Sequence, residues 1–209
     1  MSESRGATTR QAILDAAVQR FGRDGYRATS VLAVARDARV GGTATYTYFP
    51  TKEALFLAAV DEDVAGVVHD TFGQMKAEPH APEWPGRTLL AAMESLGRHP
   101  LARRVLSGAE PEVAHRVRHT PALDEARKAL AERIHAGQMA GLARSDIAAE
   151  QLAGGLVGIM LSLLAAGVRL DELGGGAGPT VEREHLRDIM RTLHASVVPG
   201  DRARRVEKK

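Results

Sequence analysis

His115 and His119 stand four residues apart with Glu112 nearby, the spacing at which one helix can offer two imidazoles to a single metal ion. Arg116 and Arg118 surround them and repel a cation, so the pair reads as a solvated helix face. The stretch "GGGAGPT" (174–180) is as glycine-rich as a phosphate-binding loop but lacks the lysine and the flanking strand, and reads as a linker. "EREH" (182–185) does not follow the His-Glu-x-x-His order of a zinc protease. The absence of cysteine removes thiolate nucleophiles, thiolate metal sites and a disulfide scaffold, and suits a reducing cytoplasm. With no nucleophile elbow and no suitably spaced carboxylate pair, the sequence predicts neither an enzyme nor a bound cofactor.

Chemistry of another kind is concentrated in "VGGTATYTYF", Val40 to Phe49. Its glycines, threonines and tyrosines are poor or middling helix formers, yet strongly helical patterns flank it on both sides. A helix of such residues makes sense where its outer face is chosen for contact with a ligand and tertiary packing compensates for propensity. Thr43 and Thr47 bring hydroxyls and methyls suited to base edges, Tyr46 and Tyr48 can reach phosphate oxygens, and Gly42 admits close approach of the backbone.

The neighbouring elements fit that role. A first helix is predicted to begin near Thr8, where Thr8 and Gln11 have capping-box spacing. Ile13, Ala17 and Phe21 form its apolar stripe, and Gly22 and Gly25 end it. A second short helix fits "TSVLAVARDA", capped by Thr29 or Ser30, with the small apolar face Val31, Val34, Ala35 and Ala38. Arg39-Val40-Gly41 turns the chain into the quoted stretch, which Phe49-Pro50 terminates. Thr51 then caps a long helix through "KEALFLAAVDEDVAGVV", with Ala54, Leu55, Leu57, Ala58 and Val64 inward. Three short helices, the last two joined by a tight turn, constitute a helix-turn-helix organisation for docking in a DNA major groove.

These residues resemble the TetR family of bacterial transcriptional regulators. The resemblance rests on "ILDAA" (13–17), "GYRATSV" (25–31), "VA" (34–35), "RVG" (39–41) and "YTYFPTKEAL" (46–55), about the first quarter of the chain. Arg39 stands where the family has its turn glycine, Gly41 replaces the usual serine, and Thr45 takes the place of an apolar anchor. Leu32 occupies a position often polar in the family. The resemblance implies phosphate contacts from Ser30, Tyr48 and Lys52, and contacts nearer the bases from Gly42, Thr43, Tyr46 and Thr47.

Beyond residue 65 the pattern stays helical, with segments near 54–77, 84–97, 100–107, 110–118, 121–141, 146–169 and 180–197 and no strand, so the expected fold class is all-α. The expected division is a DNA-binding domain at 1–52, a helical ligand-binding and dimerisation domain at 53–200, and a basic tail at 201–209. The net charge of +2 is small, but residues 1–55 carry eight Lys/Arg against five Asp/Glu and the tail five against two, so positive charge collects at the ends. The uncharged run Gln151–Val168 contains four glycines and reads as a buried helix, without a membrane role.

Leu152, Leu156, Ile159 and Leu163 on that run, with Leu186, Ile189, Met190 and Leu193 on the next helix, form two stripes suited to a four-helix homodimer interface. Met93, Leu96, His135, Gln138, Met139 and Met160 mix soft apolar and hydrogen-bonding groups of the kind that lines an effector pocket. The predicted function is a cytoplasmic, ligand-responsive transcriptional regulator, a repressor that binds a palindromic operator in double-stranded DNA as a homodimer and is released by a small-molecule effector. The alternative is an architectural DNA-binding protein that needs no ligand.

Overall fold

The structure, a computed structural model, describes residues 2–73, 79–111, 120–172 and 183–199, apart from the side chains of 2–5, 170 and 183–187. Among these residues there are helices and no strand, in accord with the all-α expectation. In order they are α1 (Ser2–Ala28), α2 (Val31–Asp37), α3 (Gly42–Tyr48), α4 (Lys52–Phe72) and α5 (Trp84–Leu96), followed by α6 (Pro100–Ser107), α7 (Pro121–Met139), α8 (Ala149–Glu172) and α9 (Arg183–Ala195). Expected features at 112–119, including His115 and His119, and the basic tail lie outside the described residues.

Two expectations for the first helix need correction. It starts at Ser2, not near Thr8, and the Gln11 side chain donates to Asp15 and to Glu62, both at 2.9 Å, rather than serving a helix start. Nor does Gly22 end it: α6 crosses there so closely that an added Cβ would lie 2.8 Å from Pro100 Cβ. The break comes at Gly25, whose φ of 81° and ψ of 170° suit glycine alone. Glu110 secures that break, accepting from the Tyr26 N–H at 3.2 Å and from Arg104 Nε at 2.5 Å.

Residues 1–69 and 95–123 form one compact unit, and 70–94 and 124–209 the other. The division therefore does not fall at residue 52, because α6 returns to pack on α1. In the first unit Ile13, Ala17 and Phe21 are buried with Val31, Val34, Phe49, Leu55, Phe56 and Val60. Phe56 meets Phe21 edge-on, with ring centroids 5.1 Å apart. This places the buried stripe of α4 on Leu55, Phe56, Ala59 and Val60, while Ala54, Leu57, Ala58 and Val64, expected inward, are only half-buried.

In the second unit Trp84, Leu130, Ile134, Leu152, Leu156, Leu193 and Val197 form the core. By length and composition α8 could cross a membrane over Ala149–Arg169. Its large residues Leu152, Leu156, Met160, Leu164 and Val168 recur at four-residue steps and are all buried, which is the pattern of a helix seated on a protein core.

Candidate nucleic-acid interface

The helix-turn-helix is built from local signals. Ser30, with extended backbone, caps α2 by accepting the Ala33 N–H at 3.1 Å. At the other end the Val40 N–H reaches back to the Ala35 carbonyl at 3.0 Å and the Arg39 N–H to Arg36 at 3.1 Å, the hydrogen bonds of a Schellman turn. That turn places Arg39 at φ 57°, a left-handed conformation usually left to glycine. Arg20 on α1 grips Asp37 at the end of α2 through two hydrogen bonds of 2.5 and 3.0 Å, and this guanidinium holds the Asp37 carboxyl below its ordinary value. Nothing in the sequence pattern pairs these two residues, which are 17 positions apart.

α3 is fixed from its inner side. Thr45 is fully buried, its hydroxyl finds no hydrogen-bond partner, and Phe49 anchors the exit from the helix. The position expected to carry an apolar anchor is thus filled by a threonine that packs as one. Thr43, Tyr46 and Thr47, spaced i, i+3 and i+4, are exposed together on the outer face. Gly42 is half-buried beneath Leu32, where an added Cβ would approach Leu32 Cδ2 to 2.8 Å. Leu32 itself is 64% exposed and Tyr46 48%, so both present large apolar surface beside the threonines.

The remaining predicted contacts are partly committed elsewhere. Tyr48 is half-buried against the core with its hydroxyl near Gly6, and so does not share the open face of Tyr46. Lys52 donates to the Arg27 carbonyl at 3.2 Å and its Nζ lies 4.6 Å from the centroid of the Tyr26 ring. These partners account for a cation in the first turn of α4. Arg10 lies over the Phe49 ring, its guanidinium carbon 5.3 Å from the centroid.

Of the six residues expected to line a pocket, five lie in the second unit. Leu96 and Met160 are core, Met139 and His135 are exposed, Met93 rests on Gly167, and Leu96 belongs to the first unit rather than the second. Gln138 is structural, its amide donating to the carbonyls of Arg144 at 2.8 Å and Ile147 at 2.9 Å. An open recess of about 470 Å³ lies beside it, lined by Arg144, Ser145, Asp146, Ala195 and Val198 among others.

The expected dimer stripes also need correction. Leu152, Leu156 and Leu193 are inside the core of their own chain, Leu163, Ile189 and Met190 are packed against it, and the Leu186 side chain is outside the described residues. The exposed side of α8 is formed by Gly155, Gly158, Ile159, Ser162 and Ala166, and nothing lies within 4 Å of a Cβ added at Gly155 or Gly158. An apolar helix with two faces allows either side to be chosen from sequence, and the larger side chains went inward.

Comparison with known proteins agrees with this geometry. Residues 13–59 match the bacterial regulatory proteins of the tetR family. The uncharacterized HTH-type transcriptional regulator YuxN of Bacillus subtilis (strain 168) is 39% identical over 49 residues, a match covering 23% of this chain and 17% of that relative. Among solved structures, a TetR family transcription regulator from Marinobacter aquaeolei VT8 is 25% identical with a TM-score of 0.56, covering 93% of this chain and 98% of that one. FadR from Bacillus subtilis, in complex with stearoyl-CoA, is 17% identical with a TM-score of 0.63 over 89% of this chain and 98% of its own. Residues 13–59 thus carry the helix-turn-helix of the tetR family of bacterial regulatory proteins, and the chain shares the all-helical fold of solved TetR-family regulators.

Proposed function

We propose that this chain is a ligand-responsive DNA-binding transcriptional regulator, a repressor that binds a palindromic operator as a homodimer in the cytoplasm and is released by a small-molecule effector. The observation that carries the reading is the exposed Thr43, Tyr46 and Thr47 face of α3, presented by a capped and ion-paired α2. In this reading Ser30, Tyr48 and Lys52 meet phosphates, while Gly42, Thr43, Tyr46 and Thr47 lie nearer the bases. Lys52 keeps its internal partners and contributes charge.

The exposed small-residue face of α8 supports self-association, since the most apolar helix otherwise leaves Ile159 and its glycines in water. A two-fold dimer presents two recognition helices about 34–36 Å apart, one turn of DNA. The fold shared with a FadR complexed with stearoyl-CoA supports a small-molecule effector. An effector that binds better to a conformation with displaced heads shifts the population away from DNA. The second reading, an architectural DNA-binding protein without a ligand, is favoured by the exposure of His135 and Met139 and the internal commitment of Gln138, three of the six residues expected to line a pocket.

Selection of bound duplexes from a random pool, followed by sedimentation of the complex, tests the proposal. An enriched inverted repeat carrying two chains of 22.3 kDa each supports it. A duplex bound by single chains, or recovery of no sequence at all, sinks it in favour of the architectural reading.

A further inference from the structure

The recognition helix has an unusual chemical inventory for a DNA reader. Gly42–Tyr48 contains no Arg, Lys, Asn or Gln, the side chains that make bidentate hydrogen bonds to guanine or adenine edges. Its outward face instead carries three hydroxyls and the two methyl groups of Thr43 and Thr47. Beside them, at the start of α3, the exposed Leu32 covers Gly42. The position that faces inward, Thr45, is fully buried and offers nothing to a groove.

We infer that the operator is read chiefly through the C5-methyl groups of thymines, met by the γ-methyls of Thr43 and Thr47 and the side chain of Leu32, with the hydroxyls accepting or donating at adjacent base edges. The inference rests on the proposed DNA-binding function and specifies the base chemistry that its α3 face recognises. In the major groove only thymine presents a methyl group, and apolar contact with it distinguishes T·A from the other pairs. A single hydroxyl can donate to one base edge and accept from another, so hydroxyls alone discriminate weakly. Methyl contact, by contrast, depends on removing apolar surface from water, and Leu32 and the threonines leave that surface open beside one another.

Replacing each thymine of a selected operator, one at a time, by deoxyuridine removes the methyl and preserves every base pair. The expected result is a loss of about threefold to fourfold in affinity at one or more positions in each half-site, the change that accompanies one methyl-sized group. Thr47→Ser keeps the hydroxyl, removes the methyl from an exposed site and should abolish the thymine-over-uracil preference at its position. A parallel series with 7-deazaguanine, which lacks the N7 acceptor, measures readout by arginine instead.

If uracil substitution is neutral everywhere while specific binding persists, the inference falls and the regulatory function stands. If 7-deazaguanine costs more than uracil, reading through Arg36 or Arg39 replaces it. If no duplex is selected over scrambled DNA, the function proposed above fails first and this inference with it.

Discussion

Oδ1 of Asp63 on α4 lies 2.8 Å from Nδ1 of His99, the residue that precedes α6. The second oxygen of the same carboxylate accepts the N–H groups of Leu101 at 2.9 Å and Ala102 at 2.8 Å. A buried carboxylate on one helix thus caps the first turn of another, where the unpaired N–H groups and the helix dipole favour negative charge. Asp63→Ala would leave those donors buried without an acceptor and should cost about 3 kcal/mol. Asp63→Asn, which still accepts through its amide oxygen, should cost less. Urea unfolding of the three proteins checks the order.

Thr45 offers the opposite case, a buried hydroxyl without a partner. Thr45→Val keeps the shape and removes the polar group, so the variant should be more stable by about 1 kcal/mol, visible as a raised melting temperature. A lower melting temperature would mean that the hydroxyl is satisfied in solution.

Arg39 holds a left-handed backbone at the turn between α2 and α3, which costs a non-glycine residue about 1–2 kcal/mol. Arg39→Gly relieves that cost but gives a more flexible unfolded chain, so stability should change by less than about 1 kcal/mol. Its effect should appear in DNA binding, as a loss of affinity for all duplexes and a salt dependence shallower by about one ion. Titrations at several salt concentrations measure both.

Burial pushes the imidazolium of His194 below its usual value of 6.5, opposed by Glu83 and reinforced by His80. A base whose folded value is depressed gives full stability above its unfolded value and loses it as pH falls from 6.5 towards the folded value. Asp24, Asp37 and Asp146 are held below about 3.8 by their arginine partners, so their contributions are lost only at more acidic pH. Stability should therefore fall as pH drops below about 6.5 in the native protein, and His194→Gln should flatten that slope. Equal slopes would show that another group titrates there.

How much of this was legible beforehand follows from how local each signal is. The Ile13, Ala17 and Phe21 stripe, the Ser30 and Thr51 caps and the extent of α3 depend on residues within four positions of one another, and the structure has them as the pattern predicts. Nothing local marks Asp63 in "DEDV" as a helix cap, because its partners lie at least 36 residues away. The partners of Lys52, the Arg27 carbonyl and the Tyr26 ring, are likewise invisible to helical periodicity. In α8 both faces are apolar, and only packing decides which becomes core.

The central claim, that the exposed face of α3 reads sequence, is tested most directly by the ratio of affinities for a selected inverted repeat and a scrambled duplex of equal length at about 150 mM salt. For the native protein the ratio should be about a thousand or more, and Thr43→Ala with Thr47→Ala should reduce it by about tenfold or more while leaving scrambled binding unchanged. A ratio near one for the native protein, or one that the double variant leaves intact, would contradict the account.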